Sequence, residues 1–292
     1  MTISCPYCEL LPNYVIDFRT ITVHGRFHRT SDSKSIQRYR CRLCRKTFSD
    51  ATKDPCFGQK KRQKNQMIFE QYCSAVSQRR SARLMRTNRK TVARKLKFLG
   101  PRCREKLFID NADLKVVSMQ FDDLETFVHT KCKPVSVTLA VEHPSRRILG
   151  FRVASMPAKG RIAKKAVKKY GLRKDERTKM RRELFRELKP IVAKDALIRS
   201  DSNPYYVGDV RRHFPTCTHD RVLGARGSTT GQGELKAVKF DPLFSLNHTC
   251  AMFRANVSAL VRKTWCTSKK MERLIDHLSL YAVYHNQNLP TQ

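Results

Sequence analysis

The stretch that decides the fold is Lys115-Val116-Val117-Ser118-Met119-Gln120-Phe121-Asp122-Asp123. Its apolar and β-branched residues predict a strand, and two carboxylates follow at once. Pro134-Val135-Ser136-Val137-Thr138-Leu139-Ala140-Val141 alternates with the side-chain period of two that marks a second strand. Ile148-Leu149-Gly150-Phe151-Arg152-Val153 is a third, with His143-Pro144-Ser145-Arg146 as the turn between them. A basic helical stretch comes next, and Ala196-Leu197-Ile198-Arg199-Ser200 is a fourth, short strand ending in Asp201. Ser202-Asn203-Pro204 then opens a helix, with proline at the first position, where its missing N–H costs nothing. An antiparallel meander, a crossover helix and a strand returning beside the first predict an α/β domain on a mixed, five-stranded sheet flanked by helices.

That order brings Asp122 and Asp201 together at neighbouring strand ends. A single Asp there is an ordinary turn residue, which is how Asp123 and Glu125 are read. Two, in a very basic chain, point to a Mg2+ (or Mn2+) site for in-line phosphoryl transfer. A third ligand is expected from a later helix, opened by Asp241-Pro242 and carried by Leu243, Leu246, Cys250, Phe253, Val257 and Leu260. Asn247 near its start offers a neutral carbonyl oxygen. Arg254, seven residues on, shares its face and suits a DNA phosphate. Glu234, beside the glycine-rich stretch 227–233, is the alternative third ligand, and a loop places a ligand less accurately than a helix does.

The 292 residues suffice for two or three small domains. They carry 60 Lys+Arg against 25 Asp+Glu, a net charge of +35, so a polyanionic partner is expected. No apolar run is long enough to cross a bilayer, and the opening Met1-Thr2-Ile3-Ser4-Cys5 lacks the basic and apolar regions of a signal peptide. Composition leaves a ribosomal or general nucleic-acid coat protein open; such a protein would not need Asp122 and Asp201 together.

Of the 11 cysteines, Cys5-x-x-Cys8 and Cys41-x-x-Cys44 form two close pairs that read as the knuckles of a tetrahedral Zn2+ site. The spacer, residues 9–40, alternates as a hairpin does at Tyr14, Ile16 and Phe18, at Ile21 and Val23, and at Ile36 and Tyr39. His24 and His28 stand at finger-like spacing and are the rival ligands, but Thr20-Ile21-Thr22-Val23 is strand-like and Gly25 interrupts. The zinc has a purely structural reading as well. The other seven cysteines (Cys56, Cys73, Cys103, Cys132, Cys217, Cys250, Cys266) read as small buried hydrophobes.

Residues 66–98 read as three helices: one carrying Met67, Ile68, Tyr72 and Val76, one over 79–86, and a third over 89–98, begun by Asn88 as cap. Arg89, Lys90, Arg94, Lys95 and Lys97 line the third. A short helix, a tight turn and a basic helix make a helix-turn-helix suited to the major groove; a basic surface helix with no reading role is the plain alternative. Pro101 marks a break. The domains expected are therefore a zinc ribbon over 1–55, a helix-turn-helix over 60–106 and a catalytic domain over 113–288. The last includes a basic stretch, 159–189, whose Lys164, Lys165, Lys168, Lys169, Arg181 and Arg182 would track a duplex.

The strand order is the ribonuclease-H-like one. The chain resembles bacterial insertion-sequence transposases of the smallest classical insertion element and its zinc-ribbon relatives. The resemblance rests on the cysteine pairs with Arg45-Lys46-Thr47-Phe48, on Phe121-Asp122-Asp123-Leu124-Glu125-Thr126-Phe127, on Ser200-Asp201, and on Leu246-Asn247-His248 through Arg262-Lys263-Thr264-Trp265-Cys266. It implies a DNA transposase with a ribonuclease-H-like catalytic domain. Many members carry Glu where this chain has Asn247; some related groups use Asp, Asp and Asn with a basic residue seven positions later, as Arg254 stands here. It further implies double-stranded DNA as partner, Mg2+ or Mn2+ and Zn2+ as cofactors, a homo-oligomer on DNA, no membrane, and the nucleoid of a bacterial cytoplasm. A non-catalytic DNA-binding regulator and a nuclease of the same fold are the alternatives.

Overall fold

The structure is a computed structural model and describes residues 3–9, 11, 18–30, 33–223, 241–261 and 266–289. The chain divides into two compact units, Met1–Asn65 and Gln66–Gln292. In the first, β1 (Ile21–Arg29), β2 (Lys34–Cys41) and β3 (Thr47–Ser49) form an antiparallel sheet in that order. The register slips between Val23 and Arg26, where Gly25 takes a φ of 73°, as a bulge residue without Cβ readily does. Its core is small: Tyr39 and Phe48 pack with Cys5, Cys8 and Cys41. Tyr14 and Ile16 lie outside the described residues.

The second unit begins within α1 (Asn65–Tyr72), after its first residue, and continues with α2 (Gln78–Leu84) and α3 (Arg89–Asn111). Ser77 caps α2 through Arg80 N–H, and Asn88 caps α3 through Lys90 N–H at 2.8 Å. Then come β4 (Val116–Phe127), β5 (Pro134–Glu142), β6 (Ile148–Ser155), α4 (Ala163–Tyr170), α5 (Arg177–Leu188), β7 (Val192–Asp201), α6 (Pro204–His213) and β8 (Thr218–Val222). Two helices close the unit, α7 (Phe244–Asn256) and α8 (Met271–Gln287). The sheet order is β6-β5-β4-β7-β8, with β4–β5 and β5–β6 antiparallel and β4–β7 and β7–β8 parallel. The mixed, five-stranded, helix-flanked sheet is thus the one expected. Its fifth strand, Thr-His-Asp-Arg-Val, has one apolar residue among five and carries no strand pattern.

Pleating sorts the side chains of β4 and β5 between two cores. Met119, Phe121 and Ala140 pack with Leu184 and Phe185 of α5 and Tyr206 and Val210 of α6. Leu124, Val135, Val137, Leu139 and Val141 pack with Leu246, Cys250 and Phe253 of α7 and with α8. That second core also takes in Ile68, Tyr72, Val92, Leu96, Cys103 and Leu107. The helices over 66–111 therefore share a core with the sheet, and the expected division after residue 106 falls inside α3.

Pro101 does not break the helix; α3 runs through it to Asn111. A proline here removes one backbone bond and crowds the preceding turn, at a cost of about 3 kcal/mol. Burial of Leu96, Cys103 and Leu107 on either side offsets it. The neighbouring Gly100 explains how close α3 comes to α8, for a Cβ there would lie 2.4 Å from the Asp276 carboxyl carbon. Among the described residues no helix is long and apolar enough to cross a membrane.

Alanine normally stabilises a helix interior over glycine by about 1 kcal/mol. Gly100→Ala reverses the sign: urea denaturation should show a loss of about 1–3 kcal/mol as α3 and α8 are forced apart.

Candidate metal centres

In the first unit the thiols of Cys5, Cys8, Cys41 and Cys44 all lie within 4.8 Å of one another. Cys5 and Cys44 are 3.6 Å apart at sulfur, and Cys8 and Cys41 3.8 Å, well beyond a disulfide bond. A tetrahedron with metal–sulfur bonds of about 2.3 Å has edges of about 3.8 Å. The donor set fits, and the cluster can hold a zinc ion. The four thiols share their protons unequally: burial raises Cys5 and pushes Cys8 up to about 12, whereas at Cys41 backbone N–H groups of Cys44 and Leu43 outweigh burial and bring the thiol down to about 7. His24 and His28 are exposed on β1 and outside the cluster, so the rival ligand set is set aside.

Asp122 and Asp201 form the second centre. Gln120 of β4 pairs with Arg199 of β7 in parallel register, and two residues further along each strand stand Asp122 and Asp201. Only Asp201 ends its strand: β4 continues to Phe127, so Asp122 lies inside it, and Asp123 and Glu125, expected in a turn, pair with Thr138 and Ser136 of β5. Asp122 faces Leu139 across β4–β5, which places it on the α7 side. Its Oδ1 accepts from Asp123 N–H at 2.7 Å and Tyr206 O–H at 3.1 Å. Asp201 Oδ1 accepts from Asn203 N–H at 3.0 Å. Among the described residues neither Oδ2 has a hydrogen-bond partner, so each carboxylate is fixed by one oxygen and presents the other. Burial, reinforced by the charge of Asp201, pushes the Asp122 carboxyl up to about 6, against the opposing hydrogen bonds from Asp123 and Tyr206.

Gln120 ties the helix to the sheet, donating to Pro242 C=O at 2.9 Å and accepting from Leu246 N–H at 3.1 Å. Cys250 lies within the electrostatic reach of both Asp122 and Arg254, and burial raises its thiol to about 12. Asn247 is exposed on the first turn of α7. Its Nδ2 donates to Asp241 Oδ2 at 2.8 Å, while Asp241 Oδ1 accepts from Leu243 N–H at 2.9 Å. Arg254 is exposed and borders a cavity of about 310 Å3 with Leu124, Phe127 and Lys131. Glu234, the stretch 227–233 and residues 262–265 lie outside the described residues.

Asn88, Arg89, Lys90, Arg94 and Lys97 are exposed at the start of α3, and Lys164, Lys165, Lys168 and Lys169 on α4. Two expectations of an exposed cation are corrected. Lys95 is only 3% exposed and sits with Val92 and Leu96 on the inward face of α3. Arg181 is 2% exposed; its guanidinium clamps Asp209, stands 4.0 Å from Asp123 and lies 4.8 Å over the Tyr206 ring. Both carry charge that composition counts as surface, and helical position turns it inward. Arg182 pairs with Asp209 at 2.6 Å. Of the seven scattered cysteines, Cys73, Cys103 and Cys250 are buried and the other four half-buried. Tyr206 and Gln120 shape the site without any motif of their own to announce them, whereas Asp241 stands where the Asp-Pro helix opener was read and holds both Leu243 N–H and Asn247.

Searched against models of known protein families and against curated proteins, the chain matches none.

The purified protein should contain about one equivalent of zinc by metal analysis, lose it in Cys41→Ser, and keep it when His24 and His28 are both replaced by Ala. A second outcome concerns acid. The folded-state value of Asp122, about 6, lies above its ordinary 3.8, so the folded state holds this proton more tightly and loses that advantage as pH rises from 4 to 6. In metal-free protein Asp122→Asn should therefore stabilise at pH 7.5, by roughly 2 kcal/mol in denaturant titrations, with the gain gone at pH 4.

Proposed function

We propose that the protein is a DNA transposase with a ribonuclease-H-like catalytic domain, which binds insertion-element ends and carries out metal-dependent strand cleavage and strand transfer. One observation carries this reading: Asp122 and Asp201 stand two residues beyond the paired Gln120 and Arg199 of adjacent parallel strands, within electrostatic reach of each other, and each has an oxygen without a hydrogen-bond partner among the described residues, in a chain of net charge +35. The donor set is oxygen-only, as Mg2+ and Mn2+ prefer. When bound, such a cation supplies Lewis-acid activation of water and of the scissile phosphodiester. Asp122 and Asp201 hold it; Asn247, through its amide oxygen, or Glu234 completes the set. Arg254 grips a flanking phosphate. Arg89, Lys90, Arg94 and Lys97 contact the duplex from α3, and Lys164, Lys165, Lys168 and Lys169 extend the track without reading sequence. The four cysteines hold zinc and stabilise the front unit. Two element ends must be joined in one complex, so the working form is an oligomer.

A second reading, a non-catalytic DNA-binding regulator of transposase descent, is favoured by Asn247. It leaves two carboxylates where many members of the resembling group have three.

The deciding assay incubates protein with a labelled fragment carrying the element end and a plasmid target, in Mg2+ or Mn2+, beside Asp201→Ala. End cleavage and joining that disappear in Asp201→Ala establish the transposase. Cleavage without joining indicates a nuclease, and binding with no cleavage in either metal favours the regulator.

A further inference from the structure

The two carboxylates come from strands that meet only through the sheet, yet one short segment touches both. Asn203 donates its backbone N–H to Asp201 Oδ1 at 3.0 Å, and its side-chain oxygen caps α6 by accepting from Tyr205 N–H at 3.1 Å. Tyr206, in the same turn, donates its hydroxyl to Asp122 Oδ1 at 3.1 Å. The Tyr206 ring is fully buried; it packs 4.9 Å from the Phe121 ring and under the Arg181 guanidinium. Arg181 in turn is fixed by buried Asp209 in the second turn of α6. This turn is therefore anchored at its own cap and by a buried ion pair, and has little freedom to move.

We propose that the first turn of α6 is a bracket in which Tyr206 and the Asn203 backbone N–H act as positioning residues, setting the separation and rotamers of Asp122 and Asp201 so that both Oδ2 atoms face one cation. The inference rests on the metal reading of the carboxylate pair and adds to it the residues that prepare the pair before any metal arrives. A hydroxyl and an N–H on the Oδ1 atoms resist rotation of either carboxylate. They also disperse part of the negative charge that two adjacent carboxylates concentrate. Outer partners of this kind commonly account for 10–100-fold in metal affinity.

The test uses the full chain with its zinc in place. Tyr206→Phe keeps the ring and deletes the hydroxyl. Asn203→Pro suits the observed φ of −61° and deletes both N–H and cap, whereas Asn203→Ala deletes the cap alone. Mn2+ binding is followed by electron paramagnetic resonance. The 13C resonances of the Asp122 and Asp201 carboxyls are followed in protein free of added divalent metal. Tyr206→Phe should melt close to wild type, bind Mn2+ about ten-fold more weakly and displace the Asp122 resonance but not that of Asp201. Asn203→Pro, compared with Asn203→Ala, should do the same to Asp201. Resonances and affinity unchanged in both comparisons overturn the bracket. If Tyr206→Phe fails to fold, the Asn203 pair decides. If wild type takes up no Mn2+ while the resonances still move as described, the metal reading falls and the bracket stands.

Discussion

Parallel pairing of β4 with β7 is the constraint on which the site depends. Strands of one direction cannot be joined by a tight turn and need a long crossover, here the segment holding α4 and α5. The crossover has an energetic role of its own. Leu184, Phe185 and Leu188 of α5 cover Met119, Phe121 and Leu149, the apolar face that the strands would otherwise expose. Arg181 on the same helix reaches Asp209 of α6. The segment that permits the pairing thus also packs the floor beneath Asp122 and Asp201.

Two adjacent carboxylates resist being charged together, and burial makes the resistance worse. The structure tolerates this at Asp122 by supplying two donors, and at Asp201 by placing it where β7 gives way to α6. The nearest buried cation, Arg181, is committed to Asp209 and lies toward Asp123 rather than Asp122. The pair is thus left without a neutralising side chain among the described residues, unlike Asp209, which has two arginines. This asymmetry between a satisfied and an unsatisfied carboxylate is the physical basis for reading one as scaffold and the other as a ligand.

Much of this was legible in the sequence. The alternation in 134–141 and the apolar run ending at Asp122 fix strand identity, and period two then fixes which face each residue takes. Cysteine spacing alone singled out the four thiols that come together. What stayed illegible depends on tertiary contacts. Lys95 and Arg181 look like surface charges until the rotation of their helices about the core is known. Pro101 looks like a stop because its local cost is visible and the packing of α3 on α8 is not. Tyr206 is a tyrosine in a helix, with nothing local to mark its hydroxyl as a partner of a residue far away in the chain. β8, short and polar, becomes a strand only because β7 offers it an edge.

The unbroken length of α3 has a geometric consequence. At 23 residues it is about 35 Å long, which matches one turn of B-form duplex. Its basic start, where Arg89, Lys90, Arg94 and Lys97 are exposed, and its far end, where Cys103, Leu107 and Asn111 are buried, belong to one rod, and Asn111 bonds the Ile148 and Leu149 carbonyls of the sheet edge. A duplex gripped at the basic end would meet the sheet at a phase set by that rod. On the transposase reading, α3 is a ruler: inserting or deleting residues within it changes which phosphodiester is presented, not how tightly the DNA is held.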